Sequence, residues 1–240
     1  MKTVEHSVCM ATYNGEKFIA AQIESILLQI GQNDELVIAD DGSTDQTIAI
    51  IKTFRDPRIK LYQDQTFRDP IKNFQHALKK SSGKFIFLSD QDDVWMEGKY
   101  TRMLAQLKHH DLVVSDSLIV NDELETLHSS FFDYFGSGKG ILKNMYKSSY
   151  YGSCMAFNRK VLEAALPFPD TTEIGHDLWL GLVAELKFSV LFFKEPLLKY
   201  RRHEAVFTSQ RVGKSSRSVR QMLYGRIIMV KEIIKFLVKK

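Results

Sequence analysis

Four short apolar runs constrain the fold of this chain more than any other feature. Residues 7–11, 35–39, 59–62 and 85–88 are apolar enough for buried strands, and each is cut off by small or polar residues. Segments of helical periodicity lie between them. Phe18, Ile19, Ile23, Ile26 and Leu27 share one side of a helix over 16–28; Ile48, Ile51 and Phe54 mark a second, and residues 73–80 a third, ending near Gly83. Strands alternating with helices predict parallel βαβ units and hence an α/β fold. Ligands of such sheets gather at the carboxyl ends of the strands. Tyr13, Asp41 and Asp92 each follow a different strand, so they are expected to converge.

The second half is less regular. Residues 112–114, 118–120, 154–157 and 189–193 read as strands, and 161–166 and 177–187 as helices. The stretch 129–147, with three glycines and several aromatics, reads as a mobile loop and a helix shaping a second pocket. Residues 204–216 are polar and suit a lid. Residues 218–240 have helical periodicity, with Met222, Leu223, Ile227, Val230, Ile233, Ile234 and Leu237 on a broad apolar side.

With 44% hydrophobic and 26% charged residues, the chain reads as a soluble globular protein. No stretch approaches the ~20 apolar residues of a membrane span, and no secretory leader is visible, so a cytoplasmic location is expected. Cys9 and Cys154 match no metal spacing and read as small buried hydrophobes. Charge is uneven. Residues 211–240 hold nine Lys and Arg against one acid, so that stretch carries +8; the whole chain carries +4, which leaves the body at −4. A basic tail calls for an anionic partner. It carries no nucleic-acid recognition motif, so nucleic acid is not the expected one.

The densest chemistry is Asp90-Gln91-Asp92-Asp93, directly after the fourth strand. Three crowded carboxylates raise one another's pKa values, and a divalent cation removes the conflict. Mg²⁺ and Mn²⁺ favour oxygen ligands and bridge one or two carboxylates to substrate phosphates. The competing reading is a solvated acidic turn; the apolar Val94-Trp95 that follows places the acids at a packed rim instead. No EF-hand fits, since its glycine and twelfth-position glutamate are missing.

Ala11-Thr12-Tyr13-Asn14-Gly15, Asp40-Asp41-Gly42-Ser43-Thr44-Asp45 and Asp90-Gln91-Asp92-Asp93-Val94-Trp95 occur in that order, each after a strand. The ordered set resembles the inverting glycosyltransferases of family 2. It looks most like the rhamnosyltransferase-like members that build bacterial capsule and lipopolysaccharide glycans. The resemblance runs to about His203. It implies a GT-A fold: a Rossmann-like, mostly parallel sheet flanked by helices, with a fused acceptor-binding half and a C-terminal helix. Residues 1–110 would bind the nucleotide-sugar donor, UDP- or dTDP-linked. Residues 111–203 would hold a glycan or lipid-linked acceptor and the catalytic base, and 204–240 the lid and basic helix.

The resemblance also implies roles for single residues. Ala11, Thr12, Tyr13 and Asn14 would line the base pocket, with the Tyr13 ring against a pyrimidine. Asp41 would accept a hydrogen bond from the base N3–H, a pairing that suits uracil and thymine. Asp92 would touch ribose or metal, and Asp90 and Asp93 would complete a Mn²⁺ or Mg²⁺ site. Alternative readings stand beside these: Tyr13 as a core aromatic, and Asp41 as a turn or cap residue.

In Gly175-His176-Asp177-Leu178-Trp179 an acid opens an apolar helix, where the helix dipole alone would favour it. The resemblance assigns Asp177 to the catalytic base, which takes the acceptor hydroxyl's proton as it attacks the anomeric carbon. His176 would orient the acceptor or simply pack. His203 would approach metal or diphosphate, or belong to a basic surface turn, and Arg201 and Arg202 are candidate phosphate grips. The basic C-terminal helix fits an anionic membrane surface as well as a terminal helix packed on the domain or in a homodimer. Two other functions compete: a sugar-phosphate nucleotidylyltransferase, which would carry a glycine-rich basic loop after the first strand, and a non-catalytic, membrane-docked nucleotide-sugar-binding module.

Overall fold

The computed structural model describes residues 4–202 and 218–238. Its first half follows the predicted alternation. Strands β1 (His6–Thr12), β2 (Glu35–Asp40), β3 (Ile59–Tyr62) and β4 (Phe85–Ser89) are separated by helices α1 (Ile19–Leu27), α2 (Thr47–Thr53) and α3 (Pro70–Lys80). All three strand pairings in this half are parallel, in the order β3-β2-β1-β4. Helix α3 starts three residues earlier than its periodicity shows. The Asp69 carboxylate caps Ile71 N–H at 2.9 Å, and Pro70 opens the first turn, where its missing donor costs nothing.

Past β4 the chain runs through β5 (Val94–Trp95), α4 (Lys99–Leu107), β6 (Leu112–Val120), β7 (Thr126–His128), α5 (Phe131–Phe135) and α6 (Ile141–Tyr146). Then come β8 (Met155–Asn158), α7 (Arg159–Ala165), α8 (His176–Lys187), β9 (Val190–Arg201) and α9 (Val219–Val238). One sheet continues through both halves as β3-β2-β1-β4-β8-β6-β9-β5, with β7 on the edge of β6. Strand β8 is antiparallel to both β4 and β6, and β6 is parallel to β9. The chain is therefore a mixed α/β fold in which helices cover an apolar sheet.

Residues 112–114 and 118–120 prove to be the two ends of β6. The polar Ser115-Asp116-Ser117 between them resembles a turn in sequence but is buried within the strand. The Asp116 carboxylate finds its partners there, while Ser117 Oγ has none among the described residues. Asp116 accepts from Ser117 N–H at 2.8 Å, Phe132 N–H at 2.9 Å and the Ser130 hydroxyl at 2.5 Å. That demand also bends the ladder, whose register shifts at Asp116. The stretch 129–147 forms α5 and α6, two short helices around the three glycines. Both cysteines are buried and free, as expected, and burial pushes each thiol up to about 12.

Candidate active site

The ends of β1, β2 and β4 meet at one rim, and hydrogen bonds tie their loops together. Asp40 organises the second loop. It accepts from the Thr12 hydroxyl (3.0 Å), Gly42 N–H (3.0 Å) and Ser43 N–H (2.8 Å). Asn14, with φ at +47°, is held by its neighbours. Its N–H donates to Ser43 Oγ (2.9 Å), and its side-chain oxygen accepts from Thr44 N–H (2.9 Å). Thr12 is thus buried scaffolding beneath the pocket. Tyr13 is 41% exposed, which excludes a core role. Its hydroxyl accepts from Arg68 Nη1 at 3.0 Å, and the guanidinium lies 5.4 Å from the ring centre.

Asp41 is 4% exposed and anchors the loop before α3. One carboxylate oxygen accepts from Phe67 N–H and Arg68 N–H, the other from Asp69 N–H at 3.0 Å. A carboxylate offers about four acceptor positions. Three are filled by described residues, which leaves one on the Asp69 side.

Gln91, between the two aspartates of the D-x-D triplet, reaches back to the first loop. Its side-chain oxygen accepts from Tyr13 N–H at 3.0 Å and its amide donates to Tyr13 C=O at 3.0 Å. Gly15 makes room: a Cβ there would lie 2.3 Å from Gln91 Oε1. On the other side of the strand, buried Gln22 donates to Ser89 Oγ (2.6 Å) and to the Asp90 carbonyl (3.0 Å). Neither glutamine was legible as a site residue.

The acidic run is split by its surroundings. Asp90 accepts from the Ser153 hydroxyl at 2.8 Å. Burial first, then the charges of Asp92 and Asp177, raise its pKa to about 7. Asp93 is 1% exposed; one oxygen accepts from Arg201 N–H at 3.0 Å, and the other is buried with no hydrogen-bond partner. Burial and the charges of Asp92 and Asp90 push Asp93 well above the usual carboxylate range. Asp92 stays at the surface of the rim, while its carbonyl accepts from Arg201 Nε at 2.8 Å. The buried cation nearby is Lys99, whose ammonium donates to the Ser153 carbonyl at 2.6 Å; burial lowers it to about 8.

This donor set bears directly on the implied metal. Carboxylates forced toward protonation, one with an orphaned oxygen, are what a divalent cation would relieve. The three acids do not, however, form a ready three-ligand cage. Among the described residues the one trio within reach of a common ion is Glu5, His6 and Asp34. That trio lies at the opposite end of β1, and His6 Nδ1 is already 3.0 Å from Asp34 and 2.7 Å from the Tyr100 hydroxyl. One oxygen of Asp90 goes to Ser153 and one of Asp93 to Arg201, so a cation here would rest mainly on Asp92, with the unpartnered oxygen of Asp93 still available to it.

Asp177 stands in the first turn of α8, its carboxylate accepting from Leu178 N–H at 2.7 Å. Its charge is felt by Asp90 and by Tyr151, whose hydroxyl is pushed up chiefly by burial. The start of α8 also lies close to the rim in space: a Cβ on Gly152, next to the Ser153 that caps Asp90, would be 3.2 Å from His176 Nε2. His176 packs: its ring stacks on Phe74 with centres 4.0 Å apart, and burial favours the neutral form. Arg201 is not a phosphate grip. It is 4% exposed, lies over the Phe18 ring at 4.4 Å and donates to the carbonyls of Asp92 and Asp122. His203 and the lid at 204–216 lie outside the described residues.

The model of the family described as "Glycosyl transferase family 2" matches residues 7–166, two thirds of the chain. The chain belongs to glycosyl transferase family 2. An Escherichia coli relative, the UDP-Glc:alpha-D-GlcNAc-diphosphoundecaprenol beta-1,3-glucosyltransferase WfaP, is 35% identical over 191 residues, covering 75% of this chain and 70% of the relative. Staphylococcus aureus TarS 1–349, solved with UDP-GlcNAc, superposes with a TM-score of 0.69 at 22% identity, over 87% of this chain and 62% of that one. The Pyrobaculum calidifontis mannosyltransferase PcManGT, solved with GDP-Man and Mn²⁺, gives 0.58 at 19% identity, over 80% and 55%. The chain spans less than two thirds of these two solved chains. As a family 2 glycosyltransferase with a GT-A fold, the protein is a transferase, and the nucleotidylyltransferase alternative falls away.

Proposed function

We propose that this family 2 glycosyltransferase moves a sugar from a UDP-linked donor to a lipid-linked glycan acceptor, inverting the anomeric centre in one displacement. The observation that carries the reading is the approach of the start of α8, with Asp177, to the acidic loop after β4: Ser153 caps Asp90 at 2.8 Å, and the adjacent Gly152 lies against His176. The UDP-GlcNAc complex of TarS and the UDP-Glc named for WfaP support a uridine donor. The diphosphoundecaprenol in the latter name supports the acceptor class.

In this reading the base stacks by Tyr13, and its N3–H reaches the acceptor position left on Asp41. Asp92 holds Mn²⁺ or Mg²⁺, which when bound neutralises charge on the departing diphosphate. Asp90 and Asp93 set the loop's shape through Ser153 and Arg201. Asp177 removes the acceptor hydroxyl's proton.

Replacing Asp177 by Asn tests the base assignment. The account expects transfer to fall at least about a hundredfold, the usual contribution of a positioned base, with UDP affinity unchanged. Normal turnover in that variant would remove Asp177 from the role. Donor binding by the native protein without turnover, across a panel of polyprenyl-diphosphate acceptors, would favour the binding-module alternative.

A further inference from the structure

Helix α9 presents two apolar faces, and only one of them is used. Gly225 and Met229 are buried, and Phe236 packs edge-on against Trp179 of α8 with ring centres 5.8 Å apart. Lys187 covers the same Phe236 ring at 4.4 Å. The other face carries Leu223, Ile227, Val230, Ile234 and Leu237, each 44–65% exposed. Their spacing of four, three, four and three residues draws one stripe along the helix.

Basic side chains border this stripe. Arg226 flanks one edge, while Arg220, Lys231 and Lys235 flank the other, by their position on the helical wheel. The acid among them, Glu232, is tied to Lys235 at 2.6 Å. Helix α6 extends the same chemistry. Its Leu142 and Tyr146 are 82% and 81% exposed, between exposed Lys139, Lys143 and Lys147, and Arg226 donates to the Tyr146 carbonyl. Nothing here is loose: Glu185 of α8 accepts from Gly140 N–H at 3.0 Å and the Asn144 amide at 3.1 Å, which fixes α6 in place.

We propose that this face, α9 with the tip of α6, docks onto an anionic phospholipid bilayer. An amphipathic stripe edged by lysine and arginine suits the headgroup boundary. No helix among the described residues is long and apolar enough to cross a membrane, so α9 lies on the surface. The same stripe also has heptad spacing, which raises a second copy as the rival occupant. Charge argues against it. In a parallel pair Arg226 would oppose Lys231 of the other copy, and in an antiparallel pair each would face its own kind; a stable coiled coil needs opposite charges there.

Docking has a consequence for the active site that rests on the proposed function. A cavity of about 260 Å³ lies between Arg220, Gln221 and Tyr224 of α9 and Glu173, in the loop leading to Asp177. A membrane-bound α9 would therefore bring the loop at Glu173, four residues before Asp177, close to the bilayer surface, where a lipid-linked diphosphate resides.

The test is co-sedimentation of the full chain with phosphatidylcholine vesicles, with and without phosphatidylglycerol, at low and raised salt. Binding should need phosphatidylglycerol and weaken with salt. The double substitution Ile227→Glu, Ile234→Glu should cut vesicle partition by roughly tenfold or more, since it removes two exposed aliphatics that the bilayer would bury, with the melting temperature kept. Lys231→Glu with Lys235→Glu supplies a second arm that leaves the apolar stripe intact, and it should weaken binding too. Equal partition onto both vesicle types, or no loss in either variant, overturns the proposal. So does a dimeric mass by light scattering that turns monomeric in the Ile227/Ile234 variant. UDP binding, measured in parallel, separates this outcome from that of the catalytic reading.

Discussion

Gly15→Ala is the most economical probe of how the site is held together. The backbone at Gly15 has no left-handed twist, so alanine brings no conformational strain of its own. Its methyl group would instead sit 2.3 Å from Gln91 Oε1 and 2.6 Å from Gln91 Cδ, and the Gln91 side chain must leave. Two hydrogen bonds to Tyr13 go with it, each 3.0 Å long. At about 0.5–1.5 kcal/mol apiece, the loss is about 1–3 kcal/mol, or roughly 5- to 150-fold in any affinity that needs Tyr13 in place. Calorimetric titration of UDP into the native protein, Gly15→Ala, Gln91→Ala and the double variant reads this directly. Both single variants should lose a similar amount. The double variant should lose no more, because one clamp cannot be broken twice. Native affinity in Gly15→Ala, or additive losses in the double variant, would refute the reasoning.

Glu35 is buried and accepts from Lys60 (2.6 Å), Ser7 (2.7 Å) and Ser82 N–H (2.7 Å); these bonds outweigh its burial and hold its pKa below the ordinary value. Its stabilisation is full above the unfolded pKa of about 4.3 and lost as pH falls through the lower folded value. Urea midpoints followed from pH 7 to pH 3 should therefore fall less steeply in Glu35→Gln than in the native protein. Lys99 has the opposite pattern: burial lowers it to about 8. The unfolded chain binds more protons between that value and about 10.4, so stability should rise with pH across that window, and Lys99→Met should flatten the rise. Asp93→Asn keeps an oxygen for Arg201 N–H and neutralises a buried acid with an orphaned oxygen. It should leave metal-dependent UDP binding within about threefold of native, since Asp92 is the proposed principal ligand; loss of metal dependence in this variant would place Asp93 on the ion.

The sequence displays what local pattern can encode. The three motif loops sit at strand ends because each strand is a run of apolar residues that stops at a turn signal, and the first three helices show their buried stripe. Contacts across the sheet are a different matter. Gln91 reaching Tyr13, Ser153 capping Asp90 and Phe67–Asp69 wrapping Asp41 all depend on strand order and register, which no local window contains. The continuity of β6 was hidden, its two ends reading as separate strands, because Asp116 resembles a turn residue until Ser130 and Phe132 supply its partners. The short β5 and β7 lie at the sheet's margins and show no alternation of their own. Helix α9 was legible as amphipathic, but which apolar face packs was not. Small residues such as Gly225 mark the buried side, and size gives no hydropathy signal.

We propose that Asp92 grips a cation against the diphosphate of a uridine nucleotide lying between Tyr13 and Asp41. The direct measurement is calorimetric affinity for UDP, with Mn²⁺ and with chelator, in the native protein and in Asp92→Ala. The account predicts tight, Mn²⁺-dependent binding by the native protein and weak binding by the variant that Mn²⁺ no longer improves. Mn²⁺-enhanced binding of equal strength in Asp92→Ala would contradict it.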